Sequence, residues 1–336
     1  MRGGGVKLFP GGAIAVEFFL IISGYLMAVS AAKRMKKRQP YSVGTETADF
    51  LWHKVKGLLP DVYVAWIAAI AVFHFARHLS VSETVRKVLF SIFDWLFLTQ
   101  SGMSGYRFNG VTWYLSAMLL AMALLYPLLI WKRDLFLSWL APLIAVFFYG
   151  YMYQAWGNLS GPTSWVGFAM KGFIRAVAAI SLGCFCYTLN QKWDRMKPTK
   201  LCRALLTVAE GGCYLFAVVM AFLSGHSKWD YIIVFFFAIG ITLSFSQKSG
   251  SAQMFWHPCF NRLGIFSLDL YLSHAAWCYV MNELFPAKTY WQILPYYVML
   301  SFFSAFVVMI ISKWIGKRWG TFLAFLQKLM WQHSET

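Results

Sequence analysis

Apolar runs of about 20 residues recur from one end of this chain to the other, the length a helix needs to cross a hydrocarbon layer roughly 30 Å thick. Spans of this kind are expected at 12–32, 58–76, 112–131, 136–153, 165–189, 204–224, 231–246, 264–283 and 294–312. The fold class is therefore all-α: a polytopic helical membrane protein with about nine transmembrane helices. One short helix is expected besides, because 88–99 is apolar but too short to span and is interrupted by Asp94. The second span is expected to open at Pro60, with Asp61 in its first turn, after an amphipathic connector at 45–57. Composition agrees, since 59% of the 336 residues are apolar and only 13% are charged, more hydrophobic material than one soluble core needs. No internal repeat or low-complexity tract is present, and no loop could hold a soluble domain. Residues 1–336 are read as a single membrane domain, ending in an amphipathic cytoplasmic tail at 316–336.

A formal net charge of +17 raises the question of a nucleic-acid partner. The positions of the basic residues answer it. Lys33, Arg34, Lys36, Lys37 and Arg38 follow the first span directly, whereas only Arg2 and Lys7 precede it. By the positive-inside rule, segments 33–56, 131–134, 191–203, 247–261 and the tail are cytoplasmic. The opposite loops, such as 154–164, are nearly uncharged, apart from the connector with Arg77, Arg86, Lys87 and Arg107. One orientation, N-terminus outside and C-terminus cytoplasmic, satisfies nearly every loop. The charge is topological, the partner is the lipid bilayer of a cell membrane, and nucleic acid is excluded. A cleavable signal peptide is opposed by Glu17 inside the first span and by the basic run after it. The six cysteines form no C-x-x-C pair and are read as small hydrophobes, so neither a metal site nor a disulfide framework is expected.

Ionisable groups inside spans cost roughly 2.5–3.5 kcal/mol each, so they usually face a polar cavity and work there. Glu17 stands before a Phe pair and Ser23-Gly24, where a neighbouring helix can approach closely. Lys54 and Lys56 form a basic pair before Pro60, suited to phosphates or serving as ordinary positive-inside charge. Trp113, in Trp-Tyr-Leu-Ser116, fits an interfacial aromatic belt. Arg175 is read as lying well inside its span and needs a carboxylate, a carbonyl or water, while Lys171, one turn earlier, could snorkel outward. In the helix through 261–277, His274 shares a face with Tyr271 and Leu270, and Asp269 shares one with Ser273. Asp269 is thus not placed by helical geometry to orient His274. A buried imidazole suits a general base for a hydroxyl acceptor, or a structural bond between helices.

In order along the chain, these strings resemble motifs of the acyltransferase family 3 integral-membrane O-acyltransferases. Glu17 to Leu26 resembles FF-x-x-SG-[YF]-L with an acidic residue just before the Phe pair, although three residues rather than two separate Phe19 from Ser23, and Trp113 to Ser116 matches W-[FYS]-L-S. Phe173, Arg175 and Gly183 match F-x-R…G, and Leu263 to His274 matches LG-x-x-S-x-x-x-YLSH. The family's basic segment has two spaced arginines. Here Lys54 stands at the first, Gly57 replaces the second, and Lys56 lies one place off. The resemblance covers most of the chain and implies an acyl-CoA donor, often acetyl-CoA, used as a substrate with no permanently bound cofactor. It also implies an acceptor hydroxyl on a cell-surface glycan or lipid-linked sugar, such as an exopolysaccharide precursor. On this reading His274, Arg175 and Glu17 are the candidate catalytic residues, and Lys54 and Lys56 would hold acyl-CoA. Trp113 and Asp269 would bind substrate. Family members carry one further helix ahead of these motifs, bearing an Arg and a catalytic His; the expectation is a start upstream of Met1 or a non-catalytic remnant. A transporter or flippase of lipid-linked glycan would also need charges inside spans, but no inverted repeat or paired broken helices are seen.

Overall fold

The structure, a computed structural model, describes residues 10–37, 42–103, 105–193, 197–251, 257–286 and 288–332, without the side chains of 37, 282 and 318–332. Its helices in chain order are α1 (Ala15–Lys37), α2 (Val43–Ala76), α3 (Val81–Phe90), α4 (Ile92–Trp95), α5 (Trp113–Trp131), α6 (Arg133–Leu135) and α7 (Ala141–Trp156). A two-stranded hairpin, β1 (Trp165–Val166) and β2 (Ala169–Met170), precedes α8 (Lys171–Trp193), α9 (Lys200–Leu223), α10 (Trp229–Phe245), α11 (Pro258–Leu284) and α12 (Tyr290–Gln332). Among the described residues, seven helical segments are long and apolar enough to cross a membrane: α1, α2, α5, α6 with α7, α8, α9 and α12. The other two expected spans are helical as well. α10 has 17 residues, and α11 has 27 but carries Arg262, Asp269 and His274. The chain is thus a polytopic helical membrane protein.

Burial on α9 shows how a span meets lipid on one side and protein on the other. Glu210, Cys213, Ala217 and Ala221 are buried at helical spacing, while Val208, Leu215, Val218 and Phe222 are exposed on the remaining surface.

Four boundaries differ from the sequence expectation. The stretch at 45–57 is no separate connector but the first part of α2, a helix of 34 residues with Pro60 in its interior. Ser42 caps it by accepting from the Thr45 amide at 3.2 Å. Its apolar side then packs: Phe50 stacks on Tyr126 with centroids 3.9 Å apart, and Glu46 accepts from Arg34 and from the Tyr126 hydroxyl. Asp61 is consequently mid-helix, where no first-turn dipole acts on it. The short non-spanning element begins earlier than expected, because a Ser80–Glu83 capping box starts α3 at Val81. It ends at Phe90, and Asp94 sits in α4, buried, accepting from the Thr112 hydroxyl. The fifth expected span begins at Lys171 rather than at 165, because Gly167, at φ +60°, turns the hairpin that pairs Trp165 with Met170. α12 runs unbroken through Gly316 to Gln332, so residues of the expected tail up to 332 continue that helix; 333–336 lie outside the described residues.

The tightest crossing in the bundle joins α1 to α8. A Cβ on Gly24 would lie 2.0 Å from the Ile180 carbonyl oxygen, and one on Gly183 would lie 2.0 Å from that of Ile21. Cys184 donates to the Gly24 carbonyl at 3.4 Å across the same contact. Backbones approach this closely only where both helices lack side chains, the small-residue packing of membrane helices.

Gly24→Val and Gly183→Val should each destabilise the fold by at least the ~1–3 kcal/mol of ordinary overpacking, and so lower the thermal unfolding midpoint in detergent. Gly264→Ala, where none of the described residues would come within 4 Å of the new methyl and alanine is the better helix former, should not lower it. Equal midpoints for all three variants would contradict the crossing. Burial pushes the Asp94 carboxyl from its ordinary value of 3.8 up to about 6, against the Thr112 bond and the Arg107 charge. The native state therefore holds this proton more tightly than the unfolded chain. Its stabilising effect is full below about pH 4 and is lost as pH rises through about 6. Asp94→Asn, which keeps an acceptor for Thr112, should stabilise at pH 7 by at most ~3 kcal/mol and hardly at all at pH 4. An unfolding shift independent of pH would refute this.

Candidate functional site

The α1–α8 crossing sets the first feature of the site. Glu17, Ile21 and Gly24 share one face of α1; Arg175, Ala179 and Gly183 share one face of α8. Closing Gly24 against Gly183 therefore brings the N-terminal turns together, and Arg175 Nε donates to Glu17 Oε1 at 2.7 Å. Both side chains are buried, at 2% and 0% exposure. The second carboxylate oxygen of Glu17 accepts from the Tyr149 hydroxyl of α7 at 2.7 Å. The Arg175 guanidinium carbon lies 5.1 Å from the centre of the Trp113 ring at the start of α5. Helices α1, α5, α7 and α8 thus converge on one ion pair whose charges are compensated in place.

Beside this pair lies a cavity of about 650 Å³ at the end of the bundle where α1, α5, α8 and α12 begin. Arg175, Trp113, His274, Tyr271, Ser160 and His226 are among its walls. His274 Nδ1 lies 3.2 Å from the Leu270 carbonyl, one turn earlier on α11. A carbonyl can only accept, so Nδ1 carries the hydrogen and, in the neutral ring, Nε2 is left with a free lone pair. Tyr271 is fixed by its hydroxyl, which donates to the Val111 carbonyl at 3.2 Å.

A second cavity, about 490 Å³, is lined by Ser23, Ser30, Phe50, His53, Lys54 and Leu268, among others. It sits toward the opposite end of α1 and the start of α2. Between the two is a third, narrower space of about 160 Å³. It shares Val16, Phe19 and Tyr271 with the first and Tyr114 and Leu268 with the second.

Of the residues singled out from sequence, Arg175, Trp113 and His274 come together on one cavity wall, with Glu17 immediately behind Arg175. Asp269 is not among them. It is buried elsewhere on α11, in electrostatic contact with Asp61 of α2 and Lys313 of α12, and its Oδ1 has no hydrogen-bond partner among the described residues. Lys54 lines the second cavity, but Lys56 does not and is exposed. Because α2 is helical throughout, residues two apart point to different sides, so the expected basic pair is split. Arg175 lies in the second turn of α8 rather than deep within a span, since the helix begins at Lys171. Lys171 does not snorkel outward: it is 2% exposed, 5.3 Å from the Trp156 ring centre and 3.4 Å from Asn158 Oδ1. Sequence reasoning misses Tyr149, His226 and Asp230. Tyr149 sits in an aromatic run that gives no signal, whereas the i, i+4 spacing of His226 and Asp230 is a signal that could find them.

Because one buried partner cannot be removed cheaply without the other, Arg175→Met should cost ~3–5 kcal/mol. Glu17→Met combined with Arg175→Met should recover most of that loss. Thermal unfolding of the single and double variants in detergent measures the coupling, and additive losses would show that the two charges do not support each other.

A family model described as an acyltransferase domain matches residues 4–314, nearly the whole chain. Neither a curated protein nor a solved structure gives a significant match. With that match laid over the buried Glu17–Arg175 pair and the cavity it borders, the chain belongs to the acyltransferase family 3 membrane proteins.

Proposed function

We propose that this protein moves an acyl group, acetyl in the first instance, from acyl-CoA to a hydroxyl of a cell-surface glycan or lipid-linked sugar. The observation that supports this reading is the run of three cavities with shared walls, from Lys54 and His53 at one end to Arg175 and His274 at the other. A donor and an acceptor entering from opposite sides of a membrane need such a path, and a narrow waist lets them meet without opening a channel.

Charge supports the orientation. Lys33, Arg34 and Lys36 close α1, and Lys192, Lys197, Lys200 and Arg203 lie where α8 ends and α9 begins, all at the Lys54 end of the bundle. That end is cytoplasmic by the positive-inside rule, which leaves the larger cavity facing outward. Acyl-CoA then enters the second cavity with its phosphates near Lys54, which acts as a point charge. The waist, walled by Val16, Phe19, Leu268 and two tyrosines, suits the apolar acyl end.

In this reaction the acceptor hydroxyl gives its proton to Nε2 of His274 as its oxygen bonds to the acyl carbon. Guanidinium N–H groups of Arg175 not engaged by Glu17 stabilise the negative charge on the carbonyl oxygen. The carbon–sulfur bond breaks, and the departing thiolate takes back the proton held on His274. Protons and electron pairs balance, and no further reactant is needed.

His274→Ala should reduce transfer of labelled acetyl from acetyl-CoA in membranes by about 10²–10⁴-fold, the span of general-base contributions. Arg175→Lys, which keeps a counter-charge for Glu17 but loses the planar fork, should lower kcat more than it raises KM. Lys54→Ala should raise KM for acetyl-CoA with little effect on kcat. Unaltered activity in both His274→Ala and Arg175→Lys would remove these residues from the reaction.

A further inference from the structure

His226 lines the larger cavity from the turn between α9 and α10, a wall that carries none of the groups used above. Its Nδ1 lies 3.6 Å from Asp230 Oδ2, in the first turn of α10. Asp230 is 1% exposed and held in place by the Leu159 amide, which donates to the same oxygen at 2.8 Å. His226 Nδ1 has no hydrogen-bond partner among the described residues, so this carboxylate is the group that biases it. An anchored carboxylate beside one imidazole nitrogen favours the tautomer with hydrogen on that nitrogen. Nε2 is then left as an acceptor for whatever occupies the cavity.

The rest of the wall indicates what that occupant looks like. The rings of Trp113, Tyr271, Tyr290 and Tyr297 line it, interleaved with hydrogen-bonding groups of Ser160, Arg175, His226 and His274. Among the described residues, no carboxylate lines it. A single reacting hydroxyl needs one base, and His274 supplies it. A second imidazole, backed by its own carboxylate on a different helix, is surplus to a mono-alcohol but fits an acceptor with several hydroxyls.

Resting on the acyl-transfer reading above, we propose that His226, oriented by Asp230, is an acceptor-specificity residue that accepts a hydrogen bond from a second, non-reacting hydroxyl of a polyhydroxylated acceptor. It acts through substrate position and not through proton transfer in the reaction. Its removal should therefore weaken binding of polyols while leaving the chemistry and simple alcohols untouched.

The test uses the purified full-length protein with acetyl-CoA and two acceptors sharing one tail, octyl β-D-glucopyranoside and 1-octanol. His226→Leu should raise KM for the glucoside about tenfold, the worth of one hydrogen bond, with kcat within twofold. KM for 1-octanol should not change, and that retained activity shows that the variant is folded. His226→Gln, which restores an acceptor atom, should recover most of the loss, and Asp230→Asn should give a smaller rise in the same direction. Equal effects on the two acceptors, or a fall in kcat with KM unchanged, would overturn the assignment of His226 alone. A wild-type protein that acetylates neither acceptor would overturn the acyl-transfer reading and this inference with it.

Discussion

Two opposite charges buried inside a low-dielectric bundle must meet or the bundle does not form, and the Glu17–Arg175 pair is where that constraint falls. Isolated, either charge would cost several kcal/mol at a site buried inside the bundle. Together, with the Tyr149 hydroxyl on the second carboxylate oxygen and the Trp113 ring beside the guanidinium, they fix the relative positions of α1, α5, α7 and α8. Contact at 2.7 Å demands that α1 and α8 cross closely, which Gly24 and Gly183 permit. The small-residue crossing and the ion pair therefore depend on each other. Widening the first breaks the second.

That arrangement also decides where polar space exists. Arg175 is satisfied on one side by Glu17 and borders a cavity on the other, so the charge is held in place without being sealed off. His274 is held in the same way, one nitrogen occupied by a backbone carbonyl and the other free. α11 illustrates how finely helical phase matters. Tyr271 and His274 face the cavity, whereas Asp269, two residues before Tyr271, is turned toward Asp61 and Lys313.

Much of the fold is legible in the amino-acid sequence, because span length and apolarity reflect the thickness of the bilayer and not the details of packing. Boundaries are less so. The 45–57 segment reads as a connector because its charged side is conspicuous, yet Phe50 on Tyr126 and Glu46 between Arg34 and Tyr126 make it helix. Composition misplaces the start of α8 because apolar residues extend into a hairpin whose turn depends on one backbone angle at Gly167. In the site, Arg175, Trp113 and His274 stand out as polar or amphipathic residues where lipid-facing ones are the rule. Tyr149 does not, since a tyrosine among aromatics is ordinary until its partner is known, and His226 shows only through its i, i+4 spacing to Asp230.

The sequence by itself determined the class of the molecule, its membrane setting, the family to which it belongs and which residues were too polar for the positions they occupy. These follow from local chemistry: the length of apolar runs, the cost of charge in hydrocarbon and the order of short motifs. Only the tertiary structure decided which of those residues meet. Lys54 and Lys56 separate while Arg175 and His274 converge, because contact between helices depends on crossing distance and rotational phase, and those are set by packing across hundreds of residues rather than by spacing along the chain.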